Sequence, residues 1–175
     1  MMGYYKMPEQ TARDTLPDGF FRTGDCGEID EQGRLRITGR VKELFKTSRG
    51  KYVAPAPIEV KLSNHPQLEA VCVTGPNETQ PFALLLLSAD AQQAVACNAG
   101  LREELTAQFE GLLAQVNGTL EDHEKLDYVV LVRQLWTIES GFLTPTMKIK
   151  RNAIERCYLP KAEAWQAKRQ KVIWE

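Results

Sequence analysis

Two stretches of this chain are apolar on both faces when drawn as strands: Leu68–Thr74 (LEAVCVT) and Phe82–Leu87 (FALLLL). Successive side chains of a strand point to opposite sides of a sheet, so a half-buried strand alternates apolar and polar residues. Runs without that alternation predict strands covered on both sides, and the first of them is expected at the centre of its sheet. Gly75-Pro76-Asn77 joins the two and carries turn chemistry. A third buried strand is predicted at Tyr128–Val132.

Helical signals lie around these strands. Leu101, Leu105, Phe109, Leu112, Leu113 and Val116 recur with the helical period. Pro57 stands where a helix can start, Ile58–Ser63 continues it and Pro66 stops it. A short helix is predicted at 89–97. A basic helical stretch runs from Lys148 to about Arg156, Pro160 ends it, and a charged helix is expected to close the chain. Three buried strands with two to four helices predict an α+β domain with a three-stranded central sheet.

The first forty residues differ. Residues 3–18 read as loop and short helix, Phe20–Thr23 as a short strand, and Glu28–Asp30 with Leu35–Thr38 as a hairpin around Glu31-Gln32-Gly33. Glu28, Asp30, Gln32 and Gly33 imitate a calcium loop, but its closing Glu would fall on Gly39, so a plain turn is the better reading. A second hairpin, Leu44–Thr47 with Lys51–Val53, encloses Ser48-Arg49-Gly50. Residues 1–40 hold too little apolar surface for a core of their own and are expected at the edge of a larger body. The opening Met1–Pro8, which has neither cap nor periodicity, suggests a segment cut from a longer protein.

Composition excludes several classes. Across 175 residues, 43% apolar and 26% charged content is globular rather than disordered. A net charge of −1 gives no global field for nucleic acid or an anionic membrane. Four dispersed cysteines, with no C-x-x-C, and two histidines supply no metal-ligand set, and reduced, mostly buried thiols are expected. The longest apolar run, Phe82–Leu87, is too short to span a bilayer.

The stretch Phe20–Ile58 concentrates polar groups on turns. Asp25 follows Gly24, and its carboxylate can accept two hydrogen bonds from a vicinal diol such as a ribose; it can equally close its own turn. Arg40 follows Gly39 and can share that diol or pair with Glu28 or Glu43 on the surface. Lys42 falls where the incomplete N-terminal part meets the α+β domain, a position suited to a hinge. Ser48-Arg49-Gly50 lets a ligand approach the backbone, or is a hairpin turn and no more. Lys148, beside Lys150 and Arg151, can neutralise charge on a transferring phosphoryl or carboxylate group, or belong to a solvated basic face. His65 and His123 read as surface residues.

The order of these motifs is more specific than any one of them. FFRTGD at Phe20–Asp25, GRVKELFK at Gly39–Lys46, GKYVAP at Gly50–Pro55 and LTPTMKIKR at Leu143–Arg151 together resemble the adenylate-forming, AMP-binding enzyme superfamily. The narrower similarity is to the C-terminal part of long-chain fatty acyl-CoA synthetases, over residues 3–158. That resemblance implies a small mobile C-terminal domain at 42–175, with flanking helices and an extra two-stranded hairpin, preceded at 1–41 by a hairpin remnant of a large N-terminal domain.

It further implies a two-step ATP-dependent ligase that makes acyl-AMP with Mg2+ and then a thioester with coenzyme A. Asp25 and Arg40 would hold the ribose of ATP or AMP and Lys42 would be the hinge. Ser48, Arg49 and Gly50 would line the pantetheine arm, and Lys148 would bridge carboxylate and α-phosphate. Its partners would be the missing N-terminal domain, fatty acid, ATP and CoA, without nucleic acid. Its place would be the cytoplasm, at most peripheral to the inner face of a membrane. The family's phosphate loop, adenine pocket and acyl tunnel have no counterpart in these residues, so the chain alone is expected to be inactive. Met147 stands where relatives often have Gly, which predicts a stiffer lysine loop. A non-catalytic interaction module of the same fold and an adenylating enzyme with another acyl acceptor are the alternatives.

Overall fold

The structure, a computed structural model, describes residues 2–175, with Ala99 described by its backbone alone. The chain divides between Leu44 and Phe45 into two compact units.

The first unit holds helix α1 (Pro8–Asp14), strands β1 (Asp25–Ile29) and β2 (Leu35–Arg40), and a 3-10 turn at Val41–Glu43. Phe20–Thr23 does not form a strand; Phe21 makes a single antiparallel bridge with Thr15. β1 and β2 form the expected hairpin, with a register shift between Cys26 and Gly27. Asp30 closes its turn: Oδ1 accepts from the N–H groups of Gln32 (3.0 Å) and Arg34 (2.8 Å). Those bonds hold its carboxyl below the usual range. Among the described residues, no apolar side chain of this unit is buried. Ile29, Leu35 and Ile37 lie on one face of the hairpin and are 73%, 67% and 58% exposed.

The second unit is built on one sheet of four strands, β5 (Leu68–Thr74), β6 (Phe82–Leu87), β7 (Val129–Val132) and β8 (Val172–Trp174), in that order. β5 and β6 are antiparallel; β6–β7 and β7–β8 are parallel. A two-stranded hairpin precedes the sheet, with β3 (Phe45–Lys46) and β4 (Tyr52–Val53). The α+β class therefore holds, but the sheet is one strand wider than expected. The chain closes on β8 rather than on a helix, because Val172-Ile173-Trp174 pairs with Val129-Val130-Leu131.

Six-residue β6 is buried at every position because both faces of the sheet are covered. On one face Val73, Leu85 and Leu131 pack with Ile58 and Leu62 of α2 (Pro55–Leu62) and with Leu105 and Phe109 of α4 (Ala99–Asn117). On the other, Leu84 and Val130 pack with Ile154 and Tyr158 of α5 (Arg151–Tyr158) and Trp165 of α6 (Ala162–Ala167). A further helix, α3 (Ala89–Cys97), is capped by the Ser88 hydroxyl. α2 begins at Pro55 rather than Pro57, and both prolines fall in the first turn, where N–H groups lack helical partners anyway. The basic stretch turns helical only at Arg151, since Leu143 and Ile149 form an antiparallel bridge just before it.

β5 is an edge strand, not the central one. Its apolar faces report the helices above and below it; they carry no information about which strands lie beside it. Of the four cysteines only Cys72 is buried, and Cys97 is exposed, so the expectation of mostly buried cysteines fails. Among the described residues no helix is long and apolar enough to cross a membrane.

Two side chains tie loops to this core. Asn117, at the end of α4, donates to the Leu126 carbonyl (2.9 Å) and accepts from its N–H (2.8 Å), as a neighbouring strand would. Asn117→Ala is expected to cost about 2 kcal/mol, because it leaves both backbone groups of a buried residue unpaired; urea unfolding at constant m-value checks it. His65 is half-buried against Phe109, with ring centroids 4.7 Å apart, so it is not the plain surface residue expected. Desolvation lowers its pKa below the ordinary 6.5. Its contribution to stability is thus present above pH 6.5 and lost as the pH falls below it, because the unfolded chain takes the proton first. His65→Phe, which keeps the ring contact, is expected to flatten the fall in thermal midpoint on acidification below that pH.

Candidate functional site

Each candidate residue sits on a turn or at the end of a strand, and each unit is described by itself. In the first unit β1 begins at Asp25 and β2 ends at Arg40, and the hairpin register sets the two opposite each other. Arg40 Nε lies 3.3 Å from Asp25 Oδ1. Arg40 thus pairs with Asp25 and not with Glu28 or Glu43; Glu28 takes Arg36 instead, at 3.5 Å. The Thr23 hydroxyl accepts from the Asp25 N–H (3.1 Å), and the Gly24 carbonyl accepts from Val41 N–H (2.9 Å). Gly24, at φ +77°, makes the turn that this arrangement requires. The result is a carboxylate 30% exposed beside a guanidinium 65% exposed, both open to a ligand with hydroxyls. Lys42 is exposed in the 3-10 turn that follows, two residues before the division between units.

In the second unit, Ser48, Arg49 and Gly50 form the exposed tip of the β3–β4 hairpin. The base of the tip is fixed by Thr47, which is buried and bonded to Lys51 through both backbone and side chain. Two more bonds fasten it to the β5–β6 turn, Asn77 N–H to the Lys46 carbonyl and Ser48 N–H to the Glu78 carbonyl, each 2.9 Å. At Gly50, φ is +80°, and an added Cβ would meet only Lys46 Cε, at 3.7 Å. The tip is therefore held at its base and open at its glycine.

Lys148 lies at the end of a four-residue turn, Thr144–Met147. Thr144 N–H donates to the Lys148 carbonyl (2.8 Å), Lys148 N–H to Thr144 Oγ1 (3.1 Å) and Met147 N–H to the Thr144 carbonyl (2.9 Å). Met147 has φ +61°, a left-handed conformation that costs an L-residue about 1–2 kcal/mol. The turn's own hydrogen bonds hold it there. The Lys148 ammonium is exposed, and among the described residues no carboxylate pairs with it.

The pair Glu59–Arg151 was not legible as part of this site. Arg151, first residue of α5, donates from Nη1 to the Val73 carbonyl (2.6 Å) and to Cys72 Sγ (3.3 Å), and from Nη2 to Glu59 Oε1 (2.7 Å). Glu59 Oε1 also accepts from Val73 N–H (2.8 Å). Both outward-facing backbone groups of Val73, on an edge strand, are thereby satisfied by one ion pair. The two charges are 92 residues apart in the chain, and the only sign of them in sequence is a Glu in the middle of one short helix and an Arg at the start of another. Glu155, one turn further along α5, accepts from the buried Thr74 hydroxyl (2.7 Å).

Among the described residues no group of three or more His, Cys, Asp or Glu side chains could hold a metal ion.

Comparison with known proteins gives this arrangement a family. The profile of the AMP-binding enzyme C-terminal domain matches residues 43–169. The chain belongs to that family. It is 33% identical to the long-chain-fatty-acid–CoA ligase FadD15 of Mycobacterium tuberculosis over 93% of its length and 29% of the relative's. It is 29% identical to long-chain-fatty-acid–CoA ligase 4 of Saccharomyces cerevisiae, over 91% and 25% respectively. The chain therefore spans less than a third of the curated relatives it matches. Among solved structures it resembles the adenylation domain of a carboxylate reductase from Mycobacterium chelonae, with TM-score 0.77, 27% identity, and 94% of this chain against 26% of that one. The mixed α+β sheet and helices are thus those of the family's C-terminal part.

The exposure of Asp25 and Arg40 leads to a prediction. An open ion pair contributes little to stability, so Arg40→Ala is expected to shift unfolding by under about 1 kcal/mol in a denaturant titration.

Proposed function

We propose that this chain is the C-terminal part of an ATP-dependent long-chain fatty acid–CoA ligase. The observation that carries the proposal is the 33% identity to such a ligase across 93% of the chain, with Asp25 and Arg40 paired at facing strand ends and Gly50 and Lys148 on exposed turns. In the first step a carboxylate oxygen of the fatty acid attacks the α-phosphorus of ATP, the bond to pyrophosphate breaks, and acyl-AMP forms. In the second the sulfur of CoA attacks the acyl carbon, the mixed-anhydride C–O bond breaks, and AMP leaves.

Each residue has a part in that scheme. Asp25 accepts from the ribose hydroxyls, and Arg40, beside it, keeps its carboxylate oriented and shares the diol. The Lys148 ammonium sits between carboxylate and α-phosphate, where charge grows during adenylation and where a fixed cation lowers the barrier. Once acyl-AMP has formed it is no longer needed. Gly50, lacking a Cβ, then admits the pantetheine arm, with Ser48 and Arg49 flanking it. One domain thus serves both steps by presenting two loops in turn, with Lys42 as the pivot. Mg2+ stays with ATP, and no step is assigned to it here.

The remainder of the site belongs to the N-terminal domain, of which residues 1–41 are the last hairpin. The exposed apolar face of Ile29, Leu35 and Ile37 suits a strand pair that belongs to a larger body. Isolated, the 175 residues are expected to be inactive. The enzyme would work in the cytoplasm, at most peripherally on the inner face of a membrane.

The likeness to a carboxylate reductase's adenylation domain favours a second reading, in which the acyl group passes to an acceptor other than free CoA. AMP release with palmitate that depends on added CoA supports the first reading; CoA-independent release, or turnover with an aryl acid alone, supports the second. Within the full-length protein, Lys148→Ala is expected to slow acyl-AMP formation about a hundredfold or more. It should leave conversion of supplied acyl-AMP to acyl-CoA nearly unchanged. Adenylation at the normal rate in that variant contradicts the assignment.

A further inference from the structure

The geometry points to Arg151 and Glu59 as positioning residues for Lys148, an inference that rests on the reading of Lys148 given above. Lys148 itself is exposed, and among the described residues no hydrogen bond or ion pair holds its side chain. Its place is set by the backbone on either side. On the N-terminal side the Thr144–Met147 turn returns the chain, and Leu143, buried at the root, bridges to Ile149. On the C-terminal side the Phe142 carbonyl accepts from Lys150 N–H (2.7 Å), and the next residue is Arg151.

Arg151 is where this segment is fastened to the sheet. Its side chain is 11% exposed and that of Glu59 is 15%. Its planar fork reaches the Val73 carbonyl and Glu59 at once, while Glu59 reaches Val73 N–H. The ion pair closes over the edge of β5 and joins α2, on one face of the sheet, to α5, on the other. Only a fork-shaped cation makes these contacts together; an ammonium has no such fixed pair of donors.

Lys148 is three residues before this anchor. An extended segment advances about 3.3 Å per residue, and a displacement of about 1 Å at a reacting group can cost a hundredfold in rate. A segment that slips or relaxes by a fraction of one residue therefore takes the ammonium out of reach of the α-phosphate. The Ser48–Gly50 tip is fastened separately, by Asn77 N–H to the Lys46 carbonyl and Ser48 N–H to the Glu78 carbonyl in the turn after β5. Loss of the anchor should consequently damage the first half-reaction and spare the second, whereas a merely structural role would weaken both together.

The test uses the full-length ligase carrying this chain, with ATP and palmitate for adenylation and synthetic palmitoyl-AMP with CoA for thioester formation. Arg151→Lys keeps the charge and loses the fork. It is expected to lower the turnover number for acyl-AMP formation about ten- to a hundredfold, with the ATP KM and the palmitoyl-AMP reaction each changed less than about threefold. Glu59→Gln keeps an acceptor for Val73 N–H and should show a smaller loss of the same one-sided kind. If Arg151→Lys does not fold, Glu59→Gln decides alone. Equal losses in both half-reactions, or no loss in either, overturn the inference. Lys148→Ala measured alongside separates the two levels. If it leaves adenylation intact, the functional reading falls; if it abolishes adenylation while Arg151→Lys and Glu59→Gln do not affect it, only the positioning role falls.

Discussion

An edge strand has to satisfy a row of backbone donors and acceptors that no neighbouring strand will take, and at Val73 β5 meets that demand with a part-buried ion pair. Glu59 accepts from Val73 N–H, and Arg151 donates to the Val73 carbonyl and to Glu59. Withdrawing two charges from water gives little net stability by itself, yet removing either partner takes away the charge that offsets the other's desolvation. The pair is thus a fixed point rather than a large source of free energy. α2 and α5 are both registered to it, and from the same strand end the Gly75–Glu78 turn carries the Ser48–Gly50 tip. The strand that looks least protected is the one from which both candidate loops are hung.

Much of this was legible because local rules and burial agree. Helical spacing located α4, and unbroken apolar runs gave β5 and β6 to the residue, because those signals come from side chains meeting a core directly. Motif order singles out Asp25, Arg40 and Lys148, whose roles are part of the proposal. What was not legible depends on pairing. Strand order cannot be read from the faces of a strand, so β5 was placed at the centre. Val172-Ile173-Trp174 is too short to show a period and follows a charged run, so β8 was merged with a helix. The partner of Arg40 depended on hairpin register, including the shift at Cys26/Gly27, and surface charges nearer in sequence were equally plausible. The Glu59–Arg151 pair joins two short helices distant in sequence, and nothing local in either marks it.

The chemistry proposed for the chain follows from a division of labour between these parts. The Asp25–Arg40 pair proposed to hold the ribose lies on the hairpin of the first unit. Two loops lie on the second, one ending in an exposed ammonium on a tightly bonded turn and one in a glycine with open space around it. Adenylation needs cationic charge at a phosphate and thioester formation needs room for a thin arm, and no single loop supplies both. In the proposed scheme one unit offers them in succession, with Lys42 in the short connection before Phe45.

That succession is the central claim, and a proline at the pivot tests it most directly. Proline fixes φ and restricts the residue before it, so Lys42→Pro should confine the full-length ligase to the arrangement used for adenylation. The account expects acyl-AMP to form from ATP and palmitate at close to the normal rate while conversion of supplied palmitoyl-AMP to palmitoyl-CoA falls about a hundredfold or more. Thioester formation at the normal rate in a folded Lys42→Pro enzyme would contradict it.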